Sequence, residues 1–174
     1  MKKFELTTEF ITNMFGKKLF RIKALVEFGN VKAGELGGYV EKEENVSQDG
    51  NAWVSGDARV YGDAEVSGDA RVSGNAEVSG NARVSGNARV YGNAWVYGDA
   101  DYALVQGFGT EFRCTTFYRG KNKKIMVNCG CFHGDLEGFR KQVKETRNGK
   151  IAKEYLMIAD LMEYHFTSED SSNE

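Results

Sequence analysis

"GNAWVSGDARVYGDAEVSGDARVSGNAEVSGNARVSGNARVYGNAWVYGDA", residues 50–100, is one hexapeptide repeated without a break. Glycine returns every six positions from Gly50 to Gly98, and Asn or Asp, Ala, a variable residue, Val, and Ser or Tyr follow it. A period of six fits neither the α-helical repeat of about 3.6 residues nor a plain alternating strand. Within a unit, Ala and Val lie two apart, as in Ala58 and Val60, so on a strand they share a face and the variable residue points the other way. Gly-Asn and Gly-Asp supply a corner, because these residues tolerate the left-handed backbone region. Each unit is expected to be a short strand and a bend, with Ala and Val inside.

The chain has 174 residues, 21 glycines, no proline and a formal net charge of -2. The near-neutral charge gives no global pull toward duplex nucleic acid or an anionic membrane surface. The start, "MKKFELTTEFITNMF", lacks an apolar run of signal-peptide length, and no segment is apolar enough for a bilayer span. Three cysteines, all beyond residue 113, do not make a disulfide framework. A cytoplasmic location is expected.

The units read V-x-G-[ND]-A-x and resemble the hexapeptide repeats of left-handed parallel β-helices. That resemblance implies three hexapeptides per triangular coil, about 18 residues a turn, stacked about 4.8 Å apart. The expected fold is mainly β: a left-handed parallel β-helix of three to four coils over 34–107. An N-terminal cap over 1–33 and a small ββαα module over 108–166 flank it, and an acidic, disordered tail is expected over 167–174. Residues 34–49, "GELGGYVEKEENVSQD", read as an irregular leading coil in which Val46 and Val54 are eight apart. In the cap, Thr7 or Thr8 is expected to open a short helix, and a strand follows with Phe20, Ile22 and Ala24 inward.

With 18 residues a turn, the variable positions form three outer columns. Arg59, Glu77, Trp95 is one, Glu65, Arg83, Asp101 the second, and both alternate in charge. The third, Trp53, Arg71, Arg89, has no acid, and Tyr91 stands beside it. Trp53, Arg71, Arg89 and Tyr91 are the candidate site for an anion bearing a flat ring, such as a nucleotide: guanidiniums fork onto phosphate and the aromatics stack. The same residues also suit a subunit contact anchored by Trp and Arg, or an ordinary solvated face.

Beyond Gly107, "EFRCTTFYRGKNKKIMVNCGCF" reads as two strands turning near residue 121. Cys114 would face Cys129, and one apolar face would hold Phe112, Cys114, Thr116, Tyr118, Ile125, Val127, Cys129 and Cys131. Asp135 is expected to cap a helix with Leu136, Phe139 and Val143 on one side. "NGK" at 148–150 would end it, and a second helix would bury Tyr155, Ile158, Leu161, Met162 and His165. Cys114, Cys129, Cys131 and His133 have the chemistry of zinc ligands, but on a regular strand positions 129 and 133 are about 13 Å apart. Buried cysteines on an apolar face are expected instead, with no metal and no cofactor.

Many enzymes of the left-handed β-helix family are acyltransferases with a catalytic histidine on or near the coils. The coils here have none; His133 and His165 both lie in the module. No group titrating near neutrality is offered by residues 34–107, so no catalytic residue is assigned and an enzyme is not expected. The opening "GELGGYVEKEENVSQDGNAWV" and the ending "CGCFHGDLEGFRKQV" are similar to hexapeptide-repeat proteins of bacteriophages and prophages. This resemblance implies a protein that inhibits or sequesters a component of bacterial antiviral defence, a host protein or a nucleotide signal. The resemblance of the coils to left-handed β-helix proteins implies a homotrimer. A divergent acyl- or nucleotidyl-type transferase and a structural assembly element are the alternatives.

Overall fold

The computed structural model describes residues 1–167, so the expected tail beyond Thr167 lies outside the described residues. Eight two-residue strands carry the hexapeptides: β4 Trp53–Val54, β5 Arg59–Val60, β6 Glu65–Val66, β7 Arg71–Val72, β8 Glu77–Val78, β9 Arg83–Val84, β10 Arg89–Val90 and β11 Trp95–Val96. They pair in parallel with partners 18 residues on, Trp53 with Arg71, Arg59 with Glu77, Glu65 with Arg83. Three hexapeptides therefore make one turn of a β-solenoid with three faces. The eight Val side chains from Val54 to Val96 are fully buried, and the Ala residues two before them are 0–1% exposed. Each buried Val contributes on the order of 1.5–3 kcal/mol.

The leading coil is present and irregular. β3, Leu36–Val40, pairs in parallel with β5 through Tyr39–Arg59, and Val46 bridges Val66. Both spacings are 20 rather than 18, because the eight-residue step between Val46 and Val54 adds two residues to that turn. Asn45, fully buried in a short turn, fills the gap by donating to the carbonyls of Gly62 (3.1 Å) and Ala64 (2.8 Å).

The cap is a β-hairpin, and the expected helix at Thr7 or Thr8 does not form. β1, Phe4–Thr12, runs antiparallel to β2, Lys18–Ala24, and β2 pairs antiparallel with β3, so one solenoid face continues into a six-stranded sheet. A run rich in Phe, Ile and Thr beside an available partner edge pairs as a strand rather than coiling alone. Ile22 and Ala24 are buried as expected, whereas Phe20 is half-buried against Phe10; Leu19 is buried instead, on the opposite side with Tyr39 and Tyr61. The register shifts between Arg21 and Lys23, which breaks the simple alternation.

The third turn stops at a short turn, Asp99–Asp101. The column of Glu65 and Arg83 therefore does not reach Asp101. Asp99 accepts from the Arg83 backbone N–H at 2.7 Å, and Asp101 pairs with Arg119 at 2.8 Å. The C-terminal module keeps the expected two strands and two helices and gains a strand on each side. β12 Tyr102–Phe108, β13 Arg113–Arg119, β14 Ile125–Cys129 and β15 Phe132–Asp135 form one antiparallel sheet, followed by α1 Leu136–Thr146 and α2 Gly149–Thr167.

Register in this sheet differs from the expectation by one residue: Thr115, not Cys114, faces Cys129. A slip of one exchanges the faces of a strand. Phe117, Val127, Ile125 and Cys129 pack toward the helices, while Tyr118 and Met126 join the solenoid core. The single apolar face expected for Phe112 through Cys131 is thus divided between two cores. Cys114 and Cys129 are half-buried and Cys131 is exposed, because Gly130 and Cys131 form the tight turn between β14 and β15.

Asp135 caps α1 by accepting from the Gly138 N–H at 2.9 Å, and Leu136, Phe139 and Val143 are buried as expected. In α2 the buried stripe is Tyr155, Ile158, Ala159, Met162 and Phe166. Leu161 and His165 are exposed, contrary to expectation. At about 100° per residue they lie roughly 120° and 80° from Tyr155, while Phe166 returns to within about 20°.

The C-terminal sheet closes the open end of the solenoid. Fully buried Tyr118 sits over the last coil, and its hydroxyl donates to the Tyr91 carbonyl at 3.2 Å. The Arg89 N–H, which has no further coil above it, donates to Thr116 Oγ1 at 3.0 Å, and the Lys121 N–H donates to the Asn93 carbonyl at 3.0 Å.

Candidate functional site

The column Trp53, Arg71, Arg89 forms as expected, in register on one solenoid face. Its members nevertheless go to different places. Trp53 is 2% exposed, packed edge-on against Phe4 and Phe28 with ring centroids 6.2 and 5.4 Å away. The N-terminal hairpin and the loop after it have covered it, so no indole face is left for a ligand. Gly37 makes this possible, since a Cβ there would meet Trp53 at 2.7 Å and Ile22 at 2.5 Å.

Arg71 leans toward the same cap. Its Nη2 lies 2.7 Å from where a Cβ on Gly29 would stand. Nearby Lys3, 4% exposed, donates to the carbonyls of Asp49, Gly50 and Ala52. Burial first, and the Arg71 charge second, push its ammonium down to about 8.

Arg89 and Tyr91 stay at the other end. The Arg89 Nη1 donates to the Tyr91 hydroxyl at 3.1 Å. Both line a cleft of about 430 Å³ between the last coil and the C-terminal sheet, together with Gln106, Phe112, Arg113, Cys114 and Asn128. That volume is within the range of about 300–1,000 Å³ usual for small-molecule sites.

Three properties define the cleft. First, two guanidiniums line it and no carboxylate does. The nearest acidic partner of Arg113 is Glu111 at 3.9 Å, an exposed pair of little strength. Second, Phe112 is 65% exposed yet held at φ +48°, a left-handed conformation that costs a bulky residue roughly 1–2 kcal/mol. Strain of this kind concentrates at ligand-contacting positions. Third, burial raises the Cys114 thiol above its ordinary value, against the smaller opposing effects of Thr116 and Arg89, so it is neutral at pH 7.

The cysteine and histidine candidates do not converge. Cys129 accepts from the Thr115 hydroxyl at 3.1 Å on the helix side of the sheet, Cys114 faces the cleft, and Cys131 is in a turn. His133 lies beside Gly92, and its Nε2 is 3.0 Å from the Tyr118 hydroxyl. The same hydroxyl lies 3.2 Å from the Tyr91 carbonyl, so Tyr118 links the imidazole to the last coil. Among the described residues no group of three or more His, Cys, Asp and Glu is arranged to hold a metal ion.

Sequence reasoning had Arg89 and Tyr91 but missed Gln106, Phe112, Arg113 and Asn128. None is periodic. The available signal was "TEFRC" at 110–114, an aromatic and an arginine in a hairpin connection just after the repeats end.

Residues 76–89 and 82–98 match the family described as the YdcK beta solenoid repeat. No curated protein matches the chain. No helix among the described residues is long and apolar enough to cross a membrane. The repeat match and the observed three-turn winding agree, and the chain is a β-solenoid protein with a hairpin cap at one end and a sheet-and-helix module closing the other.

Proposed function

We propose that the protein is a binding module that captures an anion bearing a flat ring, of nucleotide type, between Arg89 and Arg113, and holds it without chemical change. One observation carries this reading: two guanidiniums share a cleft whose lining has no carboxylate. With only the long, exposed Glu111 pair on Arg113 and one neutral hydroxyl on Arg89, most of their donors stay available for phosphate oxygens. Tyr91 and the exposed Phe112 supply rings for stacking beside them. Binding rather than turnover is favoured because the one thiol in the cleft is neutral and the imidazole of His133 is engaged with Tyr118. Sequestration of a nucleotide signal in a bacterial host is the role that such a module fits, in line with the similarity to phage and prophage hexapeptide-repeat proteins.

A second reading, capture of a host protein or of further copies as a side-by-side trimer, is favoured by Trp95 and Tyr97, 46% and 62% exposed near the closed end of the solenoid. Light scattering on the wild type and on Trp95→Glu would report the assembly.

Calorimetry with ADP and with pyrophosphate tests the main reading. Arg89→Ala and Arg113→Ala are each expected to weaken both ligands by about 10-fold or more, since a hydrogen bond to a charged group contributes about 1.5–3 kcal/mol. Unchanged affinity in both variants, or conversion of the nucleotide to product by the wild type, would refute it.

A further inference from the structure

Three carboxamides line the cleft, those of Asn87, Gln106 and Asn128; the first two are exposed, and Asn128 is the buried one. On β14 it pairs across the sheet with Thr116 on one side and His133 on the other. The Thr116 hydroxyl is taken by the Arg89 N–H, and the His133 Nε2 by the Tyr118 hydroxyl. Asn128 is 6% exposed and lines the cleft, and its side-chain amide makes no hydrogen bond among the described residues. A carboxamide offers two donors and an acceptor, and here they are open to the cleft rather than spent within the protein. Beside the charge and the ring faces of the cleft, Asn128 is the one buried group there that can meet a ligand edge which both donates and accepts. The amides of Asn87 and Gln106 lie exposed at its margin.

We propose that Asn128 reads the base of the captured nucleotide, taking the amino and N7 edge of adenine with its amide, so that the ligand is an adenine nucleotide. The inference rests on the cleft being the nucleotide site. Adenine matches because its 6-amino group donates and N7 accepts, side by side, whereas guanine presents two acceptors on that edge. The base stacks on Phe112 or Tyr91, and the phosphates lie at Arg89 and Arg113. The exposed Phe112 ring, carried on its left-handed backbone, forms a wall for the base.

The test compares, on the full chain by calorimetry, ADP, the analogous purine riboside diphosphate lacking the 6-amino group, GDP and pyrophosphate. ADP is expected to bind about 10-fold or more tightly than either other nucleotide, since a bidentate amide contact discriminates by about 1–3 kcal/mol. Asn128→Leu is expected to lower ADP to the level of the analogue without changing pyrophosphate. Equal affinity for ADP and the analogue in the wild type, with Arg89→Ala weakening all ligands, would overturn base reading and leave the capture reading standing. Tighter binding of GDP would overturn the adenine assignment. Failure of every ligand to bind, pyrophosphate included, would sink both. The wild-type panel decides even if Asn128→Leu does not fold.

Discussion

Two corner glycines separate local backbone strain from coil stacking. Gly80 and Gly86 hold nearly the same conformation, φ +64° and +63°. An alanine Cβ at 86 would meet nothing within 4 Å, whereas at 80 it would stand 2.2 Å from the Tyr97 carbonyl oxygen in the coil above. Both substitutions incur a left-handed penalty of roughly 1–2 kcal/mol. Reduced freedom of the unfolded chain returns roughly 0.4–1 kcal/mol, leaving Gly86→Ala about 1 kcal/mol less stable. Gly80→Ala also has to displace a backbone carbonyl by about 1 Å, and overpacking of that kind costs typically about 1–3 kcal/mol more. With a urea m-value of about 2 kcal/mol/M, the midpoint of Gly80→Ala should lie about 0.5–1.5 M below that of Gly86→Ala. Far-ultraviolet circular dichroism, one probe and one protein concentration for both, gives the comparison of midpoints. Equal losses, or a larger loss for Gly86→Ala, would refute the close stacking of these corners.

The buried ammonium of Lys3 makes stability depend on pH. Its value falls from 10.5 in the unfolded chain to about 8 in the fold, so between these values the unfolded state binds more protons and stability should rise with pH. In Lys3→Met that extra slope should vanish; parallel curves for the two proteins across pH 8 to 10.5 would count against the burial described. Phe112→Gly should leave the melting temperature unchanged or slightly higher, because glycine accepts the left-handed backbone. The same change should weaken ADP by about 5-fold or more through lost stacking, with pyrophosphate unaffected. Undiminished ADP affinity would remove Phe112 from the site.

The solenoid was legible because its period is written nine times, from Gly50 to Gly98, and each unit carries the same buried Ala and Val. Even the irregular leading turn followed from the spacing of Val46 and Val54. Single-copy segments gave less. The cap became a hairpin because the edge of β3 was available to β2, a tertiary fact absent from local propensity at Thr7 and Thr8. In the module a register one residue from the expected one turned the faces of β14 over relative to β13, so that Thr116 shares the cleft side with Asn128 and Phe117 lies with Val127 beneath the helices. The candidate site was half legible for the same reason. Arg89 and Tyr91 lie within the repeats, where column arithmetic places them. Trp53 was hidden by a cap whose fold was not foreseen, and Arg113 and Asn128 reach Arg89 only because the module folds back onto the last coil.

The most direct measurement is a crystal structure of the full chain grown with ADP at saturating concentration. The account requires the diphosphate between Arg89 and Arg113 and the base within hydrogen-bond distance of the Asn128 amide. ADP lodged instead beside Arg71 at the capped end, or a cleft left empty while calorimetry records binding, would contradict it.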